Sequence, residues 1–227
     1  MTTLQIDFVS DVACPWCAVG LASFEQALKD IGGEIAVELH FQPFELNPTM
    51  APEGADAAEY LIAKYGMSRE QLAENRQRIA ERGAAVGFTF GERKHVWNTF
   101  DAHRMLQWAG VEGAPAGGSE RNEFGGRSPQ HALKQALLRA YHGEGRNPGA
   151  HDVLLELAVA VGLDAARARA VLASTAFSDE VREAERLWQQ AGINAVPAVV
   201  INRRHLISGG QPPEVFAQAL RKIAAEG

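Results

Sequence analysis

The sequence predicts an α/β fold in which both ends of the chain build one sheet and a long helical block lies between them. Three patterns point to it. Near the start, Leu4, Ile6 and Phe8 alternate with Gln5 and Asp7, the period of a half-buried strand. From about residue 47 to 192, apolar residues recur at helical spacing. Near the end, the short apolar run Ala198-Val199-Val200-Ile201 restores strand pattern. At 227 residues the chain can bury a full core, either as one domain or as one domain with a large insertion.

The elements follow in order. A first strand is expected over about residues 3–10. A helix then begins near Cys14, with Leu21, Phe24, Leu28 and Ile31 on one face, and Gly32-Gly33 ends it. Ile35, Val37, Leu39 and Phe41 alternate with polar neighbours as a second strand, which Pro43 stops because proline cannot donate to the ladder. Ser68 and Gln71 make a capping-box signal for a helix running to near Val86. Another helix is expected from Asn98 to Ala109. Residues 113–129, rich in Gly, Pro and polar types, read as a mobile loop. Helices resume at about 130–142, 151–161, 165–173 and 179–191. Two strands, Ala198–Ile201 and His205–Ser208, flank a turn at Asn202-Arg203-Arg204, and Pro213 opens a final helix. The order is βαβ, helical block, ββα. The expected division is a discontinuous sheet domain of residues 1–46 and 193–227, with residues 47–192 as a helical insertion domain.

Composition excludes several classes. The chain is 46% hydrophobic and 22% charged, as expected of a soluble globular protein. A net charge of -6 argues against a nucleic-acid partner, which calls for a basic patch. No apolar run reaches membrane-spanning length. Met1 leads straight into strand pattern, with no basic start, apolar stretch or cleavage site. The expected location is the cytoplasm, with no membrane partner. A reducing compartment disfavours a structural disulfide, so paired cysteines there are catalytic, redox-sensing or metal-binding.

The chain has two cysteines, and they stand three positions apart in Cys14-Pro15-Trp16-Cys17. A CxxC pair at a strand-to-helix junction marks a thioredoxin-like redox site. Cys14 falls at the helix N-cap, where unpaired backbone N–H groups and the helix dipole favour an anionic sulfur. Pro15 suits the next position because its missing N–H would go unused. Cys17 lies one turn further in and less exposed. Cys14 is thus the expected nucleophile, reachable from solvent, and Cys17 the residue that resolves the mixed disulfide. Structural zinc needs about four ligands. His40, His95, His103, His131, His142, His151 and His205 offer no second pair, so no metal is expected. On its residues alone, Val196-Pro197 reads as an ordinary trans proline at the start of a strand. Trp97, Phe100, His103 and Trp108 are either core or the lining of a pocket over the cysteines.

Asp11-Val12-Ala13-Cys14-Pro15-Trp16-Cys17 with Val19-Gly20, and Gly192-Ile193-Asn194-Ala195-Val196-Pro197 before a strand, resemble the two signatures of the DsbA-like thioredoxin family. Trp97 to Arg104 and Ser208-Gly209-Gly210-Gln211-Pro212-Pro213 resemble its cytoplasmic FrnE-type branch. The resemblance spans nearly the whole chain, with residues 113–129 as an extra loop. It implies a thioredoxin-like fold with a large all-helical insertion and no cofactor. It also implies a cis Val196–Pro197 bond beside the cysteines, with the Val196 backbone pairing to substrate. Pro15, Trp16, Val196 and Pro197 form the implied substrate-binding set. The chain departs from the family in one respect. Well-known periplasmic members carry a histidine between the cysteines, whereas Trp16 adds no charge, which implies a less extreme thiolate. Asp7 and Asp11 lie near the place where thioredoxins keep a buried carboxylate, yet neither matches its spacing, and an exposed strand-end aspartate is the simpler reading.

The leading expectation is a thiol–disulfide oxidoreductase acting on protein or small-molecule thiols, glutathione among them, as a monomer or homodimer. Two alternatives stand beside it. One is a glutathione-dependent isomerase or transferase of the 2-hydroxychromene-2-carboxylate isomerase or kappa-class type, in which a serine commonly replaces Cys14. The other is a non-enzymatic redox sensor or chaperone.

Overall fold

The computed structural model describes residues 3–111 and 128–226. Nearly all of the loop expected at 113–129 lies outside the described residues. Its last two residues belong to a helix start instead. Ser128 caps the next helix through the His131 N–H, and Pro129 occupies its first turn, the position where a missing N–H costs nothing.

Four strands make the main sheet, in the order β2-β1-β5-β6. β1 (Thr3–Ser10) pairs parallel with β2 (Ala36–Pro43) and antiparallel with β5 (Ala198–Ile201), which pairs antiparallel with β6 (His205–Ser208). The parallel pair is joined by α1 (Pro15–Ile31), the crossover that parallel strands require. The β5–β6 turn places Asn202 and Arg203 at positive φ, the twist a tight hairpin needs. Asn202 also ties the turn to β1 by exchanging two hydrogen bonds with the Gln5 backbone.

Alternation along β1 builds two layers. Leu4, Ile6 and Phe8 pack with Leu21, Phe24 and Leu28 of α1 and with Phe216 and Leu220 of α9 (Pro213–Glu226). Phe24 and Phe216 meet edge to face at 5.4 Å. Each fully buried aromatic of this layer contributes roughly 1.5–3 kcal/mol. Val9 lies in the opposite layer with Phe44, Ile193, Ala198 and Val200.

Between the sheet halves run α2 (Ala57–Tyr65), α3 (Arg69–Ala84), α4 (Phe100–Val111), α5 (Pro129–Leu138), a π-helical turn (Arg139–Gly143), α6 (His151–Ala160), α7 (Ala165–Leu172) and α8 (Ser178–Gln190). Met105, Trp108, Leu133, Leu137, Tyr141 and Leu154 form their shared core, and Val12 and Ala13 belong to it too. The turn that leads into the cysteines is therefore gripped by the helical block. The predicted capping box of α3 is present, with Ser68 and Gln71 bonding reciprocally.

One feature escapes the sequence pattern. A two-residue ladder joins β3 (Ala55–Asp56) to β4 (His95–Val96) inside the block that reads as wholly helical. Helix α2, inside that block, buries only Ala57. At the rim of the sheet, the Gln130 side-chain amide bonds both the N–H and the C=O of Phe41 and also the Leu106 carbonyl. It acts as a surrogate neighbour for edge strand β2. Among the described residues no helix is long and apolar enough to cross a membrane.

Candidate active site

The loop after β1 delivers Cys14 to the N-cap of α1 in extended conformation, with Pro15 in the first turn. The Cys17 N–H donates to the Cys14 carbonyl at 3.0 Å, which sets the two sulfurs on one side of the helix mouth. Both thiols are free. Cys17 is fully buried and so the less exposed of the two, as expected, but Cys14 is itself only 4% exposed. The sequence-based expectation of a solvent-reachable sulfur is therefore not met in this state. Tyr65, at the end of α2, lies within electrostatic reach of Cys14, and its hydroxyl is pushed up first by burial and then by that cysteine.

The Cys14 thiol donates to the Val196 carbonyl at 3.5 Å, and the Val196–Pro197 peptide is cis. Gly20 explains how the two ends of the chain approach so closely. A Cβ there would stand 2.9 Å from Pro197 Cγ and 3.3 Å from Gly210 Cα, closer than side chains tolerate. The Gly209 N–H donates to the Pro197 carbonyl at 2.8 Å, which fixes the loop below. Cys14, Cys17, Val196 and Pro197 are thus brought together, with Pro15 and Trp16 half-buried beside them. Arg82 bonds the Gly210 carbonyl and Arg93 the Ala13 carbonyl, so two cations border the site.

Burial pushes the Cys17 thiol well above the usual range, and its hydrogen bond and charge repulsion with Cys14 add to this. A lysine, Lys134 of α5, lies close enough to oppose the rise.

Asp11 is fully buried, unlike the exposed aspartate that the sequence suggests. One carboxylate oxygen accepts from the Ala13 N–H (3.1 Å) and the Thr99 hydroxyl (2.8 Å) and lies 3.2 Å from His103 Nε2. The other accepts from the Leu46 N–H at 2.7 Å. Burial alone would raise this carboxyl, but His103 and the two backbone donors outweigh it and hold Asp11 below its ordinary value. A carboxylate so saturated with donors is a structural clamp and a poor proton acceptor. Asp7 sits on the opposite face of β1 from α1 and bonds the Gln42 amide at 2.7 Å, so it too lies apart from the sulfurs.

The aromatic set divides. Trp108 lies in the helical core, Trp97 stacks on His95 and Phe100 lies under the Arg182 guanidinium. His103 alone reaches toward the cysteines, through Asp11. Thr99, which precedes α4 and accepts from the His103 N–H, and His103 are four apart and therefore share a face, a spacing visible in the sequence once Asp11 is known to be buried. Nothing in the sequence marks His142, whose Nε2 donates to the Val12 carbonyl at 2.8 Å. Burial, then the charge of Arg93, holds its ring well below the ordinary histidine value.

That depression has a pH consequence. His142 binds a proton more readily unfolded than folded, so its contribution to stability is intact above about pH 6.5 and falls as the pH drops toward its folded value. Thermal melts between neutral and mildly acidic pH are expected to show this decline, and His142→Gln, which keeps a donor to Val12, is expected to flatten it.

Among the described residues no three His, Cys, Asp or Glu side chains gather as metal ligands would.

A family model described as DSBA-like thioredoxin domain matches residues 5–221. The crystal structure of a probable DsbA oxidoreductase from Streptomyces coelicolor is 37% identical, with a TM-score of 0.85, covering 99% of this chain and 91% of that one. An uncharacterized protein of Bacillus subtilis, YwbO, is 29% identical and covers 96% of both chains. The cytosolic disulfide reductase DsbM of Pseudomonas aeruginosa, solved with GSH, shares the fold at 19% identity and a TM-score of 0.62, covering 97% of this chain and 99% of that one.

Proposed function

The chain belongs to the DsbA-like thioredoxin domain family, and from that premise we propose that it is a thiol–disulfide oxidoreductase working through Cys14 and Cys17. The carrying observation is the placement of two free sulfurs at one helix mouth, with Cys14 against the carbonyl that precedes Pro197.

In the reducing direction the Cys14 thiolate attacks a substrate disulfide. A Cys14–substrate disulfide forms and the first substrate sulfur leaves as a thiolate. The Cys17 thiolate then attacks Cys14. The intramolecular disulfide forms, the mixed disulfide breaks, and the second substrate thiolate departs. The enzyme is oxidised by two electrons and the substrate is reduced by two. The reverse sequence oxidises a dithiol, and direction follows the potential of the pair against its surroundings. Pro15, Trp16, Val196 and Pro197 form the substrate-binding rim. A nearly buried Cys14 favours a small thiol such as glutathione, or an extended peptide segment, over a rigid protein surface. The cations Arg82 and Arg93 suit an anionic thiol. We read the protein as a cytoplasmic, FrnE-type member. Residues 1–46 and 193–227 are the domain that bears the dithiol and residues 47–192 its insertion, a division supported by the origin of the four main-sheet strands in the two ends.

The isomerase alternative is disfavoured by an intact cysteine pair in place of a lone serine. A sensor would change redox state without turnover. An assay of disulfide reduction or dithiol oxidation decides among them. The wild type is expected to turn over many equivalents, and Cys17→Ser is expected to accumulate a mixed disulfide on Cys14, visible by mass spectrometry. Tight glutathione binding with no redox turnover and no trapped adduct would overturn the oxidoreductase reading.

A further inference from the structure

Resting on that reading and deepening it, we propose that the substrate is an extended acidic peptide segment, and that one face of α3, with the cleft at its start, seats the carboxylates flanking the peptide's disulfide. Gln71, Asn75, Arg78 and Arg82 stand four, three and four positions apart, the spacing that lines residues along one helical face. Helix α3 packs against α1, and the Arg82 end of this stripe meets the active site. The Arg82 guanidinium donates to the Gly210 carbonyl at 3.2 Å. Gly210 lies so close to Trp16 that a Cβ on it would stand 3.1 Å from the Trp16 carbonyl oxygen. Trp16 belongs to the rim around Cys14, so the stripe begins where the rim ends.

The other end of the stripe opens into a cleft of about 440 Å³ between the end of α2 and α3, lined by Tyr65, Met67, Gln71, Glu74, Asn75 and Arg78. Tyr65 is 54% exposed, a large ring left open to a partner. The Asn75 amide bonds the Met67 sulfur at 3.1 Å, and the Arg78 guanidinium donates to the Asn75 side-chain oxygen, so the wall is built and not merely adjacent. From Gln71 to Arg82 the helix rises about 16 Å, the span of about five extended residues. A thiol compound of two or three residues, centred on Cys14, does not cover that length.

Charge selects the kind of peptide. The chain carries a net charge of -6, yet cations dominate this surface. Arg78 and Arg82 lie along the stripe, Arg93 borders the site through the Ala13 carbonyl, and Lys64 stands 5.7 Å from the centre of the Tyr65 ring. Among the described residues none of these four forms an ion pair, whereas Arg104, Arg146, Arg182, Arg186 and Arg221 all do. Glu74 is the one carboxylate in the cleft lining, and no ion pair joins it to Arg78. Carboxylates of a bound segment supply the missing counter-charges. Arg78 and Arg82 are separated by a rise of about 6 Å, which matches side chains two residues apart on one side of an extended chain. Acidic residues at alternate positions therefore fit the stripe best. The reaction is the exchange already described, in which the peptide disulfide becomes two thiols as the Cys14–Cys17 disulfide forms.

Single-turnover reduction of synthetic peptides by excess reduced protein tests this. Each peptide carries one internal disulfide, and the set differs only in the flanking alternate positions, aspartate in one peptide and lysine in the other. A small aryl disulfide is the reference substrate. The acidic peptide is expected to react about fivefold faster than the basic one at low ionic strength, with the preference fading as salt screens the exposed charges. The gain is expected in the half-saturating protein concentration and not in the limiting rate. Arg78→Glu is expected to invert the preference, and Arg78→Ala to reduce it about twofold, with native circular dichroism required of whichever is used. Equal rates for the two peptides, a preference indifferent to both substitutions, or reduction of the aryl disulfide alone would overturn the acidic-peptide assignment. Failure of the wild type to reduce even the aryl disulfide would instead overturn the oxidoreductase reading, so the two failures are distinguishable.

Discussion

Cys14→Ser is expected to lower disulfide exchange by about a thousandfold or more, the order of loss seen when a covalent nucleophile is removed. A hydroxyl in the same place is almost wholly protonated at neutral pH and cannot displace a thiolate from a disulfide. The fold is expected to survive, because the Cys14 thiol donates only one weak bond, to the Val196 carbonyl at 3.5 Å, and a serine hydroxyl can replace it. A turnover assay run beside a thermal melt checks both halves of this expectation. Activity within tenfold of wild type, in a protein that melts normally, would remove Cys14 from the chemistry.

The largest stability effect is expected at Asp11. Asp11→Ala strands the Thr99 hydroxyl, the His103 ring and the N–H groups of Ala13 and Leu46 in the interior. Breaking a buried charged network by removing one partner costs about 3–5 kcal/mol, a large share of the 5–15 kcal/mol that typically separates folded from unfolded. Urea unfolding measures it directly. The same network predicts acid sensitivity with a definite sign. The folded Asp11 value is depressed, so its stabilisation is complete above the unfolded aspartate value of about 3.9 and is lost as the pH falls through the lower folded value. In Asp11→Ala that lower limb of the pH–stability curve is expected to flatten. This window opens below about pH 3.9 and that of His142 below about pH 6.5, so the two variants act on the curve from different starting points.

Much of this was legible in the sequence because the signals were local. Alternation located β1 and β2, the Ser68 capping box located α3, and strand pattern with Asn202-Arg203 located the last hairpin. The CxxC pair declared its own place at a helix start. What stayed hidden depends on contacts between distant segments. Asp11 looks like a strand-end carboxylate until Thr99 and His103, roughly ninety residues away, are folded onto it. Lys134 is polar in a helix that shows other polar residues, and only packing against β2 and α4 reveals that it points inward. The burial of Cys14 is likewise set by distant segments, among them the Val196 carbonyl brought to it from 182 residues away. Local chemistry was readable, and the chemistry of the second layer around it was not.

One glutamine bears on how this protein keeps company with copies of itself. By occupying the outward peptide groups of Phe41 midway along β2, Gln130 interrupts the run of free backbone groups that an incoming strand would need on that flank, whereas β6 forms the opposite edge of the sheet. A strand adding there would have to displace this amide first. One side-chain amide thus guards the middle of an otherwise open edge.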